Sequence, residues 1–259
     1  MTLRIVSLVP SLTELLCSLG LKKFIVGCTK FCVHPADLHR GRFLLSGPKD
    51  ADVRLIKDLK PSHVLVNEEE NPPELINEIK KFCEVIETFP KSPVEVPHMI
   101  RGIAKILAVW NAGDLLAKQI EEKIRILKEC KDNRIGSRQI KYLYFIWQNP
   151  YMLAGRDTYI SSMLELAGFE NASPLLERYP VIDILSLTSL AVDRCFFATE
   201  PWPFRKRDIE ALEAQWAGLC SPMKIDGKLL SWYGSSTLEC LEQLILVVQG
   251  RDSYLMNCF

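Results

Sequence analysis

The feature that most limits how this chain can fold is a helical pattern near its middle. From Pro97 to about Lys131, the apolar residues Ile100, Ile103, Leu107, Leu115, Ile120, Ile124 and Leu127 recur near helical spacing. Pro97 suits the first turn of such a helix, where a missing N–H leaves no bond unmade. At a rise of roughly 1.5 Å per residue the run would extend about 50 Å, far more than one crossover over a small sheet requires. Its natural use is to bridge two lobes. Gly102 and Gly113 each cost the helix about 1 kcal/mol against alanine, which leaves open a break near Asn111-Ala112-Gly113. The division that follows is an N-terminal lobe over 1–96, a bridging helix over 97–131 and a C-terminal lobe over 132–259.

Both flanks alternate short β-rich runs with helical patterns, the signature of parallel βαβ units. In the first, Arg4 to Val9, Phe24 to Gly27, His63 to Val66 and Val85 to Thr88 read as strands. Ser11-Leu12-Thr13-Glu14 has the spacing of a capping box, which starts a helix directly after the first strand, and Gly20 stops it. Beyond a polar loop at Lys131 to Gln139, strands are expected at Lys141 to Trp147, Cys195 to Thr199 and Leu229 to Trp232. Helices are expected at Thr158 to Ala167, near Leu187, at Lys206 to Ala214 and at Thr237 to Val248. The fold class is α/β with parallel sheets.

Composition closes off several functions. Lysine plus arginine and aspartate plus glutamate stand at 32 each, so no field of one sign draws in nucleic acid or an anionic membrane. No apolar run is long enough to span a bilayer, and the opening Met1 to Pro10 is too short for a secretory h-region. The nine cysteines are odd in number and scattered, several inside apolar runs, as in a reducing compartment. A cytoplasmic location is expected if Met1 is the native start, and a periplasmic or lipid-anchored one if a leader was omitted.

In open parallel sheets ligands sit beyond the carboxyl ends of the strands, where loops and helix amino termini converge. Those segments hold Pro10 and Ser11, Phe31, Cys32 and His34, Glu69, Glu70 and Asn71, Trp147 and Tyr151, Glu200 and Trp202, and Trp232 and Tyr233. Flat apolar faces with a few directed polar groups are the usual lining of a small-molecule pocket. Each residue also has a plainer use. Any one aromatic is more often core, Glu68-Glu69-Glu70 reads equally as a solvated turn, and Asn71 either points its amide inward or caps the next helix. Cys28 to His34 lacks the paired CxxC spacing of a zinc site. Arg156 and Asp157 form a candidate structural pair, while Arg178 beside Tyr179 has the chemistry to bind a carboxylate or phosphate. His39, His63 and His98 have no partner pattern and read as structural. Glu200 is the better carboxylate candidate, a group that accepts ligand amides or serves acid/base chemistry.

Four segments carry a resemblance: Ser7-Leu8-Val9-Pro10-Ser11-Leu12-Thr13-Glu14, Val26-Gly27 through His34-Pro35, Leu59-Lys60-Pro61 and Ala154-Gly155-Arg156-Asp157-Thr158. In that order they resemble the helical-backbone metal receptor superfamily, the cobalamin- and siderophore-binding proteins of ABC importers, with periplasmic-binding-protein-like architecture. Glu69-Glu70-Asn71, Arg178-Tyr179-Pro180, Glu200-Pro201-Trp202-Pro203-Phe204 and Ser231-Trp232-Tyr233-Gly234 are similar to a leaderless branch of it. The resemblance implies two Rossmann-like lobes joined by one long helix, a rigid ligand cleft between them, and binding rather than catalysis. It implies a small-molecule ligand, cobalamin or another corrinoid, or an iron chelate, with no tightly held cofactor. His34 then becomes either an axial ligand to a metal the ligand carries or a residue that bonds its own loop. Importer-coupled members present glutamates to permease arginines; here Arg54 and Thr188 take those positions, so attraction turns to repulsion at the first. The alternatives are an importer component for a siderophore or haem, and an enzyme acting through Glu200 and His34.

Overall fold

Residues 3–38, 41–133, 138–173, 178–216 and 221–258 are described by the computed structural model; His39 and the centre of the Lys131 to Gln139 loop lie outside them. By its internal contacts the chain forms two units. The first holds Met1–Pro90, Glu95–Gln119 and Trp232–Ser236, and the second Lys91–Val94, Ile120–Ser231 and Thr237–Phe259.

In the first unit β1 (Ile5–Ser7), β2 (Ile25–Thr29), β3 (Phe43–Leu45), β4 (His63–Asn67) and β5 (Glu84–Thr88) lie in the order β3-β2-β1-β4-β5. Every pairing is parallel. A parallel strand covered on both faces needs apolar side chains on both, and Val64, Leu65 and Val66 are all buried. On one face Val6, Leu8, Val64 and Val66 pack with Ile56 of α2 (Val53–Asp58) and with Leu75, Ile76 and Ile79 of α3 (Pro73–Lys80). The short edge strand β3 escapes a periodicity reading because it spans three residues, two of them exposed.

Helix α1 (Pro10–Ser18) follows β1 as expected, but the capping box does not form. Pro10 sits in the first turn, so Val9 takes the cap position and Ser11 is already helical. Glu14 instead accepts a bond from Ser236 Oγ at 3.1 Å.

The long helical run is two helices, α4 (Val96–Ile106) and α5 (Trp110–Asp132). The break precedes the expected position, at Leu107 to Val109, where Ala108 adopts φ +56°. Gly113 serves contact and not breakage: a Cβ there would lie 2.2 Å from the Ala104 Cβ, so its absence lets α5 lie against α4. The chain leaves the first unit within α5, between Gln119 and Ile120.

The second unit is built on β6 (Ile140–Trp147), β7 (Met152–Leu153), β8 (Phe169–Asn171), β9 (Arg194–Ala198), β10 (Pro222–Ile225) and β11 (Met256–Cys258). Its order is β11-β10-β9-β6-β7, with β8 also on β6. The central pairings are parallel, but β7 and β11 run antiparallel at the edges. Four residues between β6 and β7 are too few for a crossover, so that strand must return antiparallel. Helices α6 (Tyr159–Leu166), α7 (Lys206–Gln215) and α9 (Ser236–Val248) fall where expected, α6 with Thr158 Oγ1 accepting from Ser161 N at 3.1 Å. Near Leu187 there is only a 3₁₀ turn, Ile184–Leu187. The strand expected at Leu229 to Trp232 is wrong: Gly227–Ser231 is a helix, α8, and the strand is β10 before it. A short apolar run does not distinguish the two, and Leu229 and Leu230 are buried from a helix. Asp157 pairs with Arg178 at 3.2 Å and not with Arg156. Phe145 and Phe197 stack at 4.8 Å in the core beneath. No helix among the described residues is long and apolar enough to cross a membrane.

The two mid-chain glycines are expected to respond oppositely to alanine. Gly102 has open space around its Cβ position, so Gly102→Ala gains about 0.5–1 kcal/mol of helix propensity. Gly113→Ala overpacks against Ala104 and costs about 1–3 kcal/mol. Urea unfolding midpoints check both; shifts of the same sign would contradict the helix contact.

Candidate functional site

The first unit gathers its polar residues where β1, β2, β4 and β5 end. After β4, Asn67 Oδ1 accepts from the amides of Glu69 (2.8 Å) and Glu70 (3.2 Å), and Asn67 Nδ2 donates to Thr88 O at 3.0 Å. Asn71 Oδ1 accepts from Asn67 N at 2.8 Å, and its Nδ2 donates to Pro48 O at 2.7 Å. Asn71 is 1% exposed; it ties the loop together, and Pro72, not Asn71, takes the cap position of α3. Glu68 and Glu69 are exposed and Glu70 is partly covered.

The segment Trp232–Ser236 joins this edge from far along the chain. Tyr233 Oη donates to Glu70 Oε1 at 3.4 Å, and the hydroxyls of Ser11 and Thr88 lie beside the same phenol. Burial pushes the Glu70 acid up to about 7, with Glu69 adding and the Tyr233 bond opposing. Burial likewise raises Tyr233 well above its ordinary value, and Glu70 adds to it. Gly234 adopts φ +106° and sits against Leu15, where a Cβ would come within 3.3 Å.

The loop after β2 separates residues adjacent in sequence. His34 is exposed, its ring edge-on to Trp232 at 6.0 Å. Phe31 is 52% exposed, with Lys30 Nζ 5.2 Å from its centre. Cys32 has no exposed surface. Its Sγ meets Thr13 Oγ1 at 3.1 Å and Thr29 Oγ1 at 3.2 Å; bonding to Cys28 first and these hydroxyls after it lower the thiol against burial. Cys32 therefore braces the loop from below. Pro10 stands at the start of α1, half-buried, with Ser11 buried behind it.

The second unit carries its own strand-end cluster. Trp147, 36% exposed, lies edge-on to Trp202 at 5.2 Å. Tyr151 packs edge-on to Phe145 and accepts from Gln148 Nε2 at 3.4 Å. Burial raises the Glu200 acid, Asp226 adds to it and Lys228 opposes. Arg178 is engaged by Asp157, through the backbone carbonyl and Oδ2, and lies 5.9 Å from the Tyr179 ring.

Sequence reasoning missed Glu14, Thr88, Ser236 and the Asp226-Gly227-Lys228 group. The last was legible in principle as the end of β10, but the strand misplaced at Leu229 to Trp232 moved that end from Ile225 to Trp232.

Comparison with known proteins bears on the fold. A family model described as "Periplasmic binding protein" matches residues 5–217, and no curated protein matches. Among solved structures, a periplasmic heme-binding protein from Pseudomonas aeruginosa superposes with TM-score 0.80 at 19% identity, covering 99% of this chain and 98% of that one. The vitamin B12-binding protein BtuF of Vibrio cholerae gives 0.77 at 18%, covering 96% and 98%. The heme-binding protein BhuT in complex with two hemes gives 0.81 at 21%, covering 95% and 98%.

The raised Glu70 acid has a sign that can be checked. A carboxyl whose folded value lies above its unfolded value stabilises fully below the unfolded value, and that contribution is lost as pH rises through the folded one. Glu70→Gln is therefore expected to match wild type near pH 4, gain on it up to about pH 7, and hold a constant advantage above. Melting temperatures across this range test it; a difference that shrinks with rising pH would contradict the buried acid.

Proposed function

Because the chain belongs to the periplasmic binding protein family, whose members hold solutes and do not transform them, we propose that it binds a corrinoid, cobalamin or a close relative, through residues at its strand ends. The enzyme alternative through Glu200 and His34 falls with that membership. What carries the corrinoid reading is the sign of the polar groups: Glu70 and Glu200 are acids held in low-dielectric surroundings, and Arg178 is already engaged by Asp157. Haem brings two carboxylates, for which neither acid supplies a cation. A corrinoid brings a rim of neutral carboxamides, which they accept. Trp147 and Trp202, edge-on to each other at 5.2 Å, supply flat apolar faces for its ring.

A second reading, haem, has one observation in its favour: the exposed His34 imidazole beside Trp232, a group suited to iron as well as cobalt. Arg54, exposed in the first turn of α2, and Thr188, also exposed, argue against permease docking through the family's paired glutamates.

Titration of the purified protein with cyanocobalamin, cobinamide, haem and a ferric catecholate separates these readings by quenching of tryptophan fluorescence. A corrinoid is expected to saturate the signal at one per chain, with haem at least tenfold weaker. Saturation by haem alone would replace the first reading with the second.

A further inference from the structure

Two side-chain atoms on the turn that leaves β9 are shielded from solvent and have no hydrogen-bond partner: Glu200 Oε1 and Trp202 Nε1. They are opposite in sense, since a carboxylate oxygen only accepts and an indole N–H only donates. Buried polar atoms are nearly always satisfied, and each exception calls for a reason. Two exceptions of complementary kind stand two residues apart on one turn.

The backbone that carries them has little freedom to relieve the mismatch. Thr199 N bonds Ile225 O at 3.0 Å and Gly227 N bonds Thr199 Oγ1 at 3.0 Å, which fastens the turn to the end of β10. Beyond it Phe204 N bonds Trp202 O at 3.0 Å. Gly227 approaches so closely that a Cβ would stand 2.5 Å from Glu200 O. The Trp202 ring is held edge-on by Trp147 at 5.2 Å. Donor and acceptor are thus carried by one turn, between β9 and α7, whose backbone is fastened to the start of α8.

We propose that Glu200 and Trp202 form a recognition subsite for a primary carboxamide, the indole N–H donating to the amide oxygen and the Glu200 carboxylate accepting from the amide nitrogen. The proposal rests on the corrinoid reading and adds which ligand group is recognised and by what. A carboxylate at the same place would satisfy the indole but oppose Glu200, and an ester would leave Glu200 unanswered. The subsite therefore selects amides against acids of the same shape.

The test uses cobinamide and cobyrinic acid, which carry carboxamides and carboxylic acids respectively on one ring system, against wild type, Trp202→Phe and Glu200→Gln. Wild type is expected to prefer cobinamide at least tenfold. Trp202→Phe, which keeps a ring and removes the N–H, should weaken cobinamide about tenfold, or about 1.4 kcal/mol. Glu200→Gln should narrow the preference by binding cobyrinic acid more tightly. In ligand-free protein both variants should unfold at the wild-type urea midpoint or above it, since each removes an unanswered polar atom; a purely structural role would lower it. Cobinamide binding that neither variant alters, or equal affinity for both corrinoids, overturns the subsite and leaves the corrinoid reading standing. Binding of neither corrinoid by wild type overturns both.

Discussion

A parallel strand covered on both faces leaves no place along its length for polar chemistry, and this constraint organises both units. The side chains of β1, β4, β6 and β9 are almost entirely consumed by packing; Phe145, Phe196 and Phe197, for instance, are fully buried. Polar and aromatic groups that are not core are displaced to the carboxyl ends, where successive βα loops emerge side by side. Glu70, His34 and Tyr233 collect at one such edge, and Trp147, Glu200 and Trp202 at another.

Within the first unit, the segment Trp232–Ser236 joins the strand-end edge from far along the chain. It is held at both ends by carboxyls from distant parts of the chain, Glu70 through Tyr233 and Glu14 through Ser236. Gly234, at a backbone angle that disfavours a side chain, allows it to lie on Leu15. Burying the Glu70 carboxyl opposes its ionisation, and that cost is tolerated because Tyr233 supplies a hydrogen bond in return.

Fold class was legible because βαβ alternation and helical periodicity are written in local order, and Arg4 to Val9 or Lys206 to Ala214 need no distant partner to be read. Errors arose where the deciding contact is distant or the run is short. Nothing local says that Gly113 must meet Ala104, so the glycine read as a breaker when the turn lies at Ala108. Leu229-Leu230 fits a strand or a helix equally in isolation. Strand-end logic named Glu70, Trp202 and Glu200, but not burial: Cys32 and Asn71 occupy the right loops and are turned inward by Thr13, Thr29 and Asn67. The bond from Ser236 to Glu14 spans 222 positions, beyond any reading by spacing.

Native mass spectrometry of the protein isolated from its own host addresses the central claim, that these strand ends hold a cobalt corrinoid, most directly. A retained mass of one corrinoid per chain, with the cobalt absorption bands of that ligand, is the expected result. A retained haem, or a chain that stays bare when its host is supplied with corrinoids, would contradict it.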